Sequence, residues 1–416
     1  MKRLAALLLL GAAAAAPSAL EAQTITQRGF ADASLFLFAQ ETPNDPTREV
    51  ADVLAREEIF VKPAGWLQFA AGLDLRASSH DQVDDRWRLD VADRGERRPR
   101  LALRRLSATI TRGALTVDAG KQFIRWGKTD IVTPTDRFAP RDFLNVIDAE
   151  FLGVAGVRGV VQARGNTFEA VWLPRFTPSR VPLVDQRWTA VPSEAAALPL
   201  FDAGATLPDG SQAGVRWSRT ADRVEFSLSL FDGFNHLPNV AVFPAPTPFG
   251  APPALAVSRT YPSIRSYGAD AALPTKLFTI KAEAAYFTSS AADTDQYVLY
   301  VVQLERQAGE WVIVGGYAGE AVTERRSSFV FAPDRGLTRA IVARASYTIG
   351  PTKSVAFEGA VRQNGDGAYA RAEYSQARGQ HWRTTISGAA IGGRADDFLG
   401  QYRRNSHVKA SLRYSF

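Results

Sequence analysis

Hydrophobic and polar positions alternate one by one along much of the chain, most clearly at its end. In Ser406–Phe416 the apolar positions fall on one face and the polar positions on the other. A period of two residues is that of a β-strand. Such a strand either buries its apolar face in a soluble core or turns it to lipid, with the polar face lining a watery lumen. This one strand leaves both readings open.

The same alternation recurs from end to end. It is clear in Val224–Leu230, Phe278–Tyr286, Val355–Arg362 and Ala370–Ser375. Segments of about ten residues have the length that a tilted strand needs to cross a bilayer. Asp52–Ile59 is the one place where the sequence suggests a short helix.

The connections between these segments alternate in length. Tight turns such as Thr111–Ala114 and Ala163–Asn166 are followed by long polar or proline-rich stretches such as His80–Pro99 and Arg175–Gly210. Short turns on one rim and long loops on the other are typical of outer-membrane barrels. The pattern predicts an all-β, antiparallel, up-and-down transmembrane β-barrel of about 18 strands, with 16 as the alternative count. Its short turns are expected in the periplasm and its long loops outside the cell.

The amino terminus reads as an export signal. Lys2 and Arg3 precede the apolar run Leu4–Ala16, which is too short to span a bilayer as a helix. We expect residues 1–22 to be a cleaved signal peptide and residues 23–416 to form a single barrel domain. The predicted location is the outer membrane of a Gram-negative bacterium, in contact with lipid and lipopolysaccharide.

The last strand is expected to pair with the first, near Gly29–Gln40, and so to remove the edge of the sheet. The chain stops on Phe416, and we expect the barrel assembly machinery to recognise the strand that ends there. A homo-oligomer is left open.

Composition removes several other functions. The chain has no Cys, which excludes thiol catalysis and zinc–thiolate sites. Its net charge of +6 is spread out, without the dense basic patch that nucleic-acid binding needs. No metal-ligand spacing, phosphate loop or other cofactor motif occurs. A calcium site at Asp81, Asp84 and Asp85 lacks the spacing of a known loop, so solvated loop charges are the preferred reading.

The stretch after Trp126 is dense in charge and stiffened by Pro134 and Pro140. A long loop with many ion-pairing residues is expected to be ordered. We predict that residues 127–153 fold into the barrel mouth and narrow it, with an ordered cap outside the rim as the alternative. The charged residues in and beside this loop are Arg125, Lys128, Asp130, Asp136, Arg137, Arg141, Asp142 and Asp148.

Three strings in this region carry a resemblance to a known family. They are the Gly-Lys-Gln and Trp-Gly-Lys-Thr-Asp elements of Gly120–Asp130, Asp-Arg-Phe-Ala-Pro-Arg-Asp at Asp136–Asp142, and Trp172–Pro182. The chain here resembles a porin-like family of proteobacterial outer-membrane barrels with a Gly-Arg/Lys-Gln…Trp-Gly element, then Asp-x-x-Asn-Pro-x-Asp and Pro-x-Phe-x-Pro. The resemblance implies a membrane barrel and a channel, and names no substrate. Ala139 stands where the family pattern has Asn, so a role resting on that amide does not carry over.

The alternation also assigns side chains to the lumen, and basic ones outnumber acidic ones. A basic excess along a pore favours anions, unless cross-strand ion pairs cancel it. The inward basic residues are Arg105, Arg158, Lys281, Arg344, Arg362, Arg371, Arg383, Lys409 and Arg413. The inward acidic residues are Asp118, Glu225, Glu283, Glu358 and Glu373.

The sequence thus predicts a non-enzymatic, porin-like channel for small polar or anionic solutes, with residues 127–153 at its constriction. Two alternatives stay open. One is a barrel with an occluded lumen that binds partners at the surface or acts as a hydrolase, although no Ser/His/Asp grouping is visible. The other is a channel for apolar solutes, with an entry site built from Phe138, Phe143, Phe151, Phe243 and Phe249.

Overall fold

The chain forms a closed barrel of 18 antiparallel strands. The computed structural model describes residues 24–190, 198–246, 253–327, 333–363 and 365–416. The predicted signal peptide, residues 1–22, lies outside this part of the chain. The fold class and the strand number predicted from the alternation are confirmed, and the alternative of 16 strands is wrong.

The barrel strands follow one another around the wall in chain order. They are β1 (Thr24–Phe38), β2 (Glu49–Ala64), β3 (Leu67–Ser78), β4 (Leu101–Arg112), β5 (Leu115–Gln122), β6 (Val154–Ala163), β7 (Asn166–Leu173), β8 (Gln212–Ala221), β9 (Val224–Phe234), β10 (Ser263–Pro274), β11 (Thr279–Thr288), β12 (Gln296–Ala308), β13 (Trp311–Glu324), β14 (Ala340–Gly350), β15 (Lys353–Arg362), β16 (Gly367–Arg378), β17 (Trp382–Gly393) and β18 (His407–Ser415).

The last strand closes the barrel against the first. β1 and β18 pair in antiparallel register from Phe30 opposite Ser415 to Phe38 opposite His407. Beyond the ladder, Gly29 and Phe416 exchange backbone hydrogen bonds of 3.1 and 3.0 Å. Closure leaves no sheet edge to pair with another chain.

The outer face of the wall is apolar. On β18, Val408 and Leu412 are half exposed, while Lys409 and Ser411 on the other face are partly covered. Apolar side chains that stay exposed in this way along every strand are those of a lipid-facing surface. Tryptophans at the short-turn ends of the strands, such as Trp311 and Trp382, lie in this outer belt as interfacial aromatics do.

The two rims differ as the sequence predicts. Tight turns join β2 to β3, β4 to β5 and each later pair in the same phase, and longer segments join the strands at the opposite rim. Some of these segments carry structure of their own: Leu200–Thr206 pairs in parallel with Leu255–Thr260, which pairs antiparallel with Asn239–Pro244. The hydrophobic core lies inside the barrel, where such segments pack against the inner wall.

The short helix predicted at Asp52–Ile59 is wrong, because these residues belong to β2. Arg56 and Glu58 point inward and Val53 and Ile59 outward, so the segment obeys the period of two like its neighbours. The described helices are α1 (Pro333–Gly336) and a 3₁₀ helix at Gly400–Asn405, both in long loops. No helix in the described ranges is long and apolar enough to span a membrane.

The pairing of the first and last strands gives a testable prediction. Deleting Phe416 removes both of its backbone hydrogen bonds to Gly29, so less of the protein should reach the closed barrel. The measurement is the heat-dependent electrophoretic shift of the membrane fraction. Phe416→Ala is the matched control, since it keeps both backbone bonds. An equal loss in the two variants would show that the aromatic ring governs assembly, rather than the backbone hydrogen bonds between Gly29 and Phe416.

Candidate functional site

The segment between β5 and β6, residues 123–153, lies inside the barrel and is called the inner loop below. Its apolar side chains Trp126 and Phe138 are 2% and 1% exposed. Their rings meet edge to face at 4.9 Å, and Phe138 meets Phe231 of β9 at 5.0 Å. Burial of aromatic side chains on this scale fixes the loop against the wall.

Glycines on the wall make room for the loop. A Cβ at Gly214 of β8 would lie 2.9 Å from the rings of Trp126 and Phe138. A Cβ at Gly268 of β10 would lie 2.6 Å from the Thr135 side chain. These positions look like ordinary strand residues in the sequence, and only the packing shows that they are recesses for the loop.

The inner loop is anchored to the wall by one carboxylate. Glu283 of β11 is 2% exposed and accepts the backbone N–H groups of Lys128, Thr129 and Thr135 at 3.0, 3.2 and 2.8 Å. The hydroxyls of Thr129 and Thr135 lie 2.9 and 2.8 Å from the same carboxylate. Gly127 has a φ of +93°, and a Cβ there would lie 2.8 Å from the Glu283 oxygens, so the approach requires glycine.

The anchor continues on the next strand. The amide of Asp130 donates to Gln303 of β12 at 2.8 Å, and Gln303 donates back to the Asp130 carboxylate at 2.6 Å. Lys281 of β11 binds the same carboxylate at 3.1 Å. Side chains from two adjacent strands thus hold one end of the loop.

The other end of the loop reaches the opposite wall. Glu150 accepts from Arg56 of β2 at 3.2 Å and from Arg76 of β3 at 2.6 Å. Asp148 lies between Arg371 of β16, at 2.6 Å, and Lys409 of β18, at 3.0 Å. Since β2 and β11 are diametrically opposite in an 18-stranded ring, the inner loop crosses the lumen.

A two-residue ladder between Arg141–Asp142 and Glu150–Phe151 folds this end of the loop into a hairpin. Asp142 is buried between Arg98 at 2.9 Å and Arg180 at 3.3 Å. Burial alone would raise its pKa, but the two guanidinium groups hold the pKa well below the usual range. The hairpin is therefore bound to the other loops by charges that are sealed from water.

A cavity of about 290 Å³ opens beside the inner loop, on the long-loop side. We call it the mouth cavity. Its polar lining residues include Thr133, Asp136, Arg141, Ser179, His236 and Glu358. Its apolar lining residues include Ile131, Phe143, Leu237, Leu337, Val342, Tyr369, Ile391 and Phe398.

A second cavity, of about 260 Å³, is lined only by strand residues. We call it the lower cavity. It is bounded by β1 and by β16, β17 and β18. Its charged lining residues are Arg371, Arg383, Lys409, Arg413, Asp32 and Glu373. Hydroxyls of Ser375, Thr385, Ser387 and Ser411 complete it.

Several residues singled out from the sequence meet in these two places. Asp136, Arg137 and Arg141 line the mouth cavity, and Arg371, Arg383, Lys409 and Arg413 line the lower cavity. Arg125 binds Asp136 at 3.3 Å. Lys128 forms an ion pair with Glu225.

Other predicted residues lie apart from the cavities or are occupied by partners. Arg158 binds Glu169 at 2.8 Å and Asp118 at 3.6 Å. Arg105 stacks on Phe60 and Phe123, and Arg362 binds Asp397 at 3.2 Å. Glu358 stands opposite Arg344 in the register of β14 and β15, and it also lines the mouth cavity.

The sequence reasoning missed several inner residues. Glu169 is buried and accepts from both Arg158 and the Trp126 ring, at 2.8 and 2.7 Å. The alternation of β7 could have found it, since Val171 and Leu173 share its face. Asp148 was one loop charge among many, and no local pattern places it opposite Arg371 and Lys409.

The described aromatics of the predicted entry site do not form one group. Phe138 belongs to one core cluster and Phe143 to another, Phe151 lies under the Arg125 and Arg141 guanidinium groups, and Phe243 is exposed. Phe249 lies outside the described residues. Of the four described aromatics, Phe143 lines the mouth cavity.

The histidines have structural partners. The ring of His236 lies between the carbonyl oxygens of Thr177 and Arg137, at 2.7 and 2.9 Å, and burial lowers its pKa to about 4. His80 binds the buried Asp45 at 2.6 Å. Asp81 and Asp85 are paired with arginines, and the described residues hold no group of three or more His, Cys, Asp or Glu that could bind a metal ion.

Comparisons with known proteins agree with this architecture. No protein-family model and no curated protein matches the chain. Solved structures do match it over nearly its full length. A BenF-like porin from Pseudomonas fluorescens Pf-5 is 9% identical, with a TM-score of 0.55 over 95% of this chain and 98% of that one. OccAB4 of Acinetobacter baumannii is also 9% identical, with a TM-score of 0.55 over 96% and 100%.

A third similar structure is OccD3 (OpdP) of Pseudomonas aeruginosa. It is 8% identical, with a TM-score of 0.54 over 94% of this chain and 91% of that one. At such identities the likeness shows the fold alone. The chain therefore has the architecture of an outer-membrane porin barrel.

Removing the anchor carboxylate should release the inner loop. Glu283→Ala leaves three loop amides without their acceptor, at a cost of about 1–3 kcal/mol for each amide that stays buried without a partner. We expect a larger single-channel conductance and more open-channel noise. Because the chain has no Cys, a cysteine introduced at Ile131 reports loop exposure by its labelling rate.

Glu305→Gln is the control for this variant, since Glu305 is a carboxylate of β12 that binds Lys281 at 2.7 Å. The Glu305→Gln substitution changes the charge by the same amount and removes none of the hydrogen bonds between the loop and the wall. Unchanged conductance and labelling in Glu283→Ala would show that aromatic packing alone holds the loop.

The mouth cavity should respond to pH through Asp136. Burial raises the pKa of this carboxyl to about 6, against the opposing effects of the Trp126 amide and Arg125. The group is therefore charged at pH 7 and neutral at pH 5, so the cavity loses a negative charge on acidification. We expect the anion-to-cation permeability ratio to rise from pH 7 to pH 5, measured by reversal potentials in a salt gradient.

In Asp136→Asn the ratio should be higher at pH 7 and should lose most of this pH dependence. Asp142 and Glu150 stay ionised in this range, because neighbouring arginines hold their pKa values low. An equal pH dependence in wild type and variant would assign the effect to another group.

Proposed function

We propose that the protein is a porin-like channel of the outer membrane through which small anionic solutes pass by diffusion. The main support for this proposal is the lower cavity. Arg383 of β17 and Arg413 of β18 stand directly opposite each other in the sheet register, and both face this cavity. Like charges in directly opposed positions destabilise a sheet, so the pair is better explained by a demand for positive potential in the lumen.

Partners of these two arginines leave much of their charge available. Arg413 binds Asp32 at 2.9 Å and stacks on Phe30, with its side chain 44% exposed. Arg383 donates to the Ser375 hydroxyl at 3.3 Å and forms no ion pair within the described ranges. Guanidinium groups and hydroxyls bordering one cavity are the donors that an oxyanion needs when it loses part of its hydration.

The inner loop supports the constriction role proposed for residues 127–153. It crosses the lumen and is held at both walls by charge-assisted hydrogen bonds. The mouth cavity lies on one of its sides, and the lower cavity is bordered by the Arg371 and Lys409 side chains that its tip touches. A solute passing between the cavities must move past the loop tip.

The position in the outer membrane is part of the proposal. The apolar outer belt, the closed ladder and the similarity to solved porin structures support it. It implies contact with lipid and lipopolysaccharide, and insertion by the barrel assembly machinery through the strand that ends at Phe416. A homo-oligomer is compatible with this placement.

A second candidate function is passage of solutes with an apolar portion. The specific observation is the mixed lining of the mouth cavity, where apolar Leu337, Val342 and Ile391 and polar Arg141 and Thr133 border a volume of about 290 Å³. A pocket lined by apolar side chains and a few polar groups orients an amphipathic molecule. An aromatic or branched-chain carboxylate would then permeate better than a hydrophilic one of the same charge.

Reversal potentials in planar bilayers test the main proposal. The wild-type channel should prefer chloride over potassium, and Arg383→Gln should lower that preference roughly two- to threefold by removing a lumen charge. Arg223→Gln is the matched control, because Arg223 is exposed in the tight turn between β8 and β9. It should leave the preference unchanged.

A wild-type barrel that inserts without conductance would contradict the channel. A cation-selective wild type would contradict the anionic solute, and equal effects of the two substitutions would contradict the role of the lower cavity.

A further inference from the structure

The tip of the inner loop places a carboxylate where a permeating anion would bind. Asp148 Oδ1 lies 2.6 Å from Arg371 Nη1, and Oδ2 lies 3.0 Å from Lys409 Nζ. Each oxygen therefore has its own cationic donor, which is the arrangement that a free carboxylate adopts between an arginine and a lysine. Arg371 and Lys409 are also lining residues of the lower cavity.

This contact is partly open to water, as are the loop's ion pairs at Asp130 and Glu150, and differs in this from the sealed Asp142 cluster. The side chains of Asp148, Arg371 and Lys409 are 20%, 22% and 23% exposed, whereas that of Asp142 is 6% exposed and that of its partner Arg180 is 3% exposed. A small solute can reach the first group and cannot reach the second.

The Asp148 side chain can move while the backbone of the loop stays in place. The ladder that closes the hairpin ends at Asp142 and Glu150, and residues 143–149 form the bend between its two arms. The backbone of the bend is held near Asp148, because the Ile147 amide donates to the Asn145 side chain at 3.3 Å and the Ile147 side chain packs against an apolar cluster. The movement that displaces the carboxylate is therefore a rotation of the Asp148 side chain about its own bonds.

We propose that Asp148 is a tethered counter-ion. It occupies the anion-binding site between Arg371 and Lys409, called the seat below, and each permeating anion displaces it transiently. The inference rests on the proposed anion channel and identifies the binding step within it. The chemical class is a small monocarboxylate or comparable oxyanion, since the seat offers one guanidinium and one ammonium donor.

The tether has a physical consequence for transport. A pore must bind its solute well enough to admit it and weakly enough to release it. A tethered carboxylate competes at an effective concentration in the millimolar range, so it returns to the seat and expels the solute. The charges of Lys409 and Arg371 keep the Asp148 pKa at about 2 despite burial, so the competitor stays ionised at any pH at which the channel works.

Asp148→Asn tests the competition. The variant keeps the shape of the side chain and removes its charge, so the seat is left to the solute. The measurement is single-channel conductance against potassium acetate concentration. We expect the half-saturating concentration to fall roughly fivefold, which is about 1 kcal/mol in binding free energy. Asp148→Glu, which retains a tethered carboxylate, should stay near wild type.

Glu373→Gln is the matched control. Glu373 lies 3.2 Å from Arg371 but belongs to β16, so its removal changes the lumen charge equally without freeing the loop. It should raise anion preference while the half-saturating acetate concentration changes far less than in Asp148→Asn. Lys409→Gln removes half of the seat and should raise that concentration.

The outcomes separate the two proposals. In one outcome the wild type prefers anions, but Asp148→Asn shows only more current noise and no gain in acetate affinity. This result would overturn the role of Asp148 as a counter-ion and would leave the proposed anion channel standing. Equal gains in Asp148→Asn and Glu373→Gln would reduce the effect to net charge and also overturn it. If Asp148→Asn does not reach the heat-modifiable barrel form, Lys409→Gln becomes the deciding variant. An unchanged half-saturating acetate concentration in Lys409→Gln would overturn the proposed anion site between Arg371 and Lys409. A wild type without anion preference overturns the proposed function itself.

Discussion

The interior of this barrel depends on one carboxylate on its wall. Glu283 collects the amides of Lys128, Thr129 and Thr135 and thereby fixes the turn that starts the inner loop. A buried carboxylate is tolerated only when donors replace its lost hydration, and the loop amides need an acceptor for the same reason. Each satisfies the other, so loop and wall form a single unit. Everything that the loop presents to the lumen is positioned from this point.

The ion pairs of the loop differ in their access to water. In the Asp142 cluster the loop is tied to its neighbours by pairs that are sealed from water, and at Glu283 it is tied by a buried carboxylate. At its tip the pair between Asp148 and Lys409 remains open to water. The same residue types therefore have different roles. The Asp142 pairs are closed to water and only hold the loop, whereas the Asp148 pair also borders the proposed route of the solute.

Prediction from sequence succeeded where one physical rule acts locally. Alternation gave the strands, and the contrast between tight turns and long loops gave the two rims. The prediction was wrong at Asp52–Ile59, because charged side chains on the inner face obscured the period of two and suggested a helix. The loop aromatics do not form the predicted group either, because Phe138 and Phe143 are drawn into separate clusters by contacts with distant strands.

What the sequence determined by itself is the barrel, because facing lipid on one side and water on the other imposes a pattern on every strand. It also placed Arg383 and Arg413 on the inner face, since alternation is a local property. The tertiary structure alone decided that Glu283 is an anchor, that Gly214 is a recess, and that Asp148 meets Arg371 and Lys409. These contacts join residues far apart in the chain, and their strength depends on burial and distance, which no local pattern records.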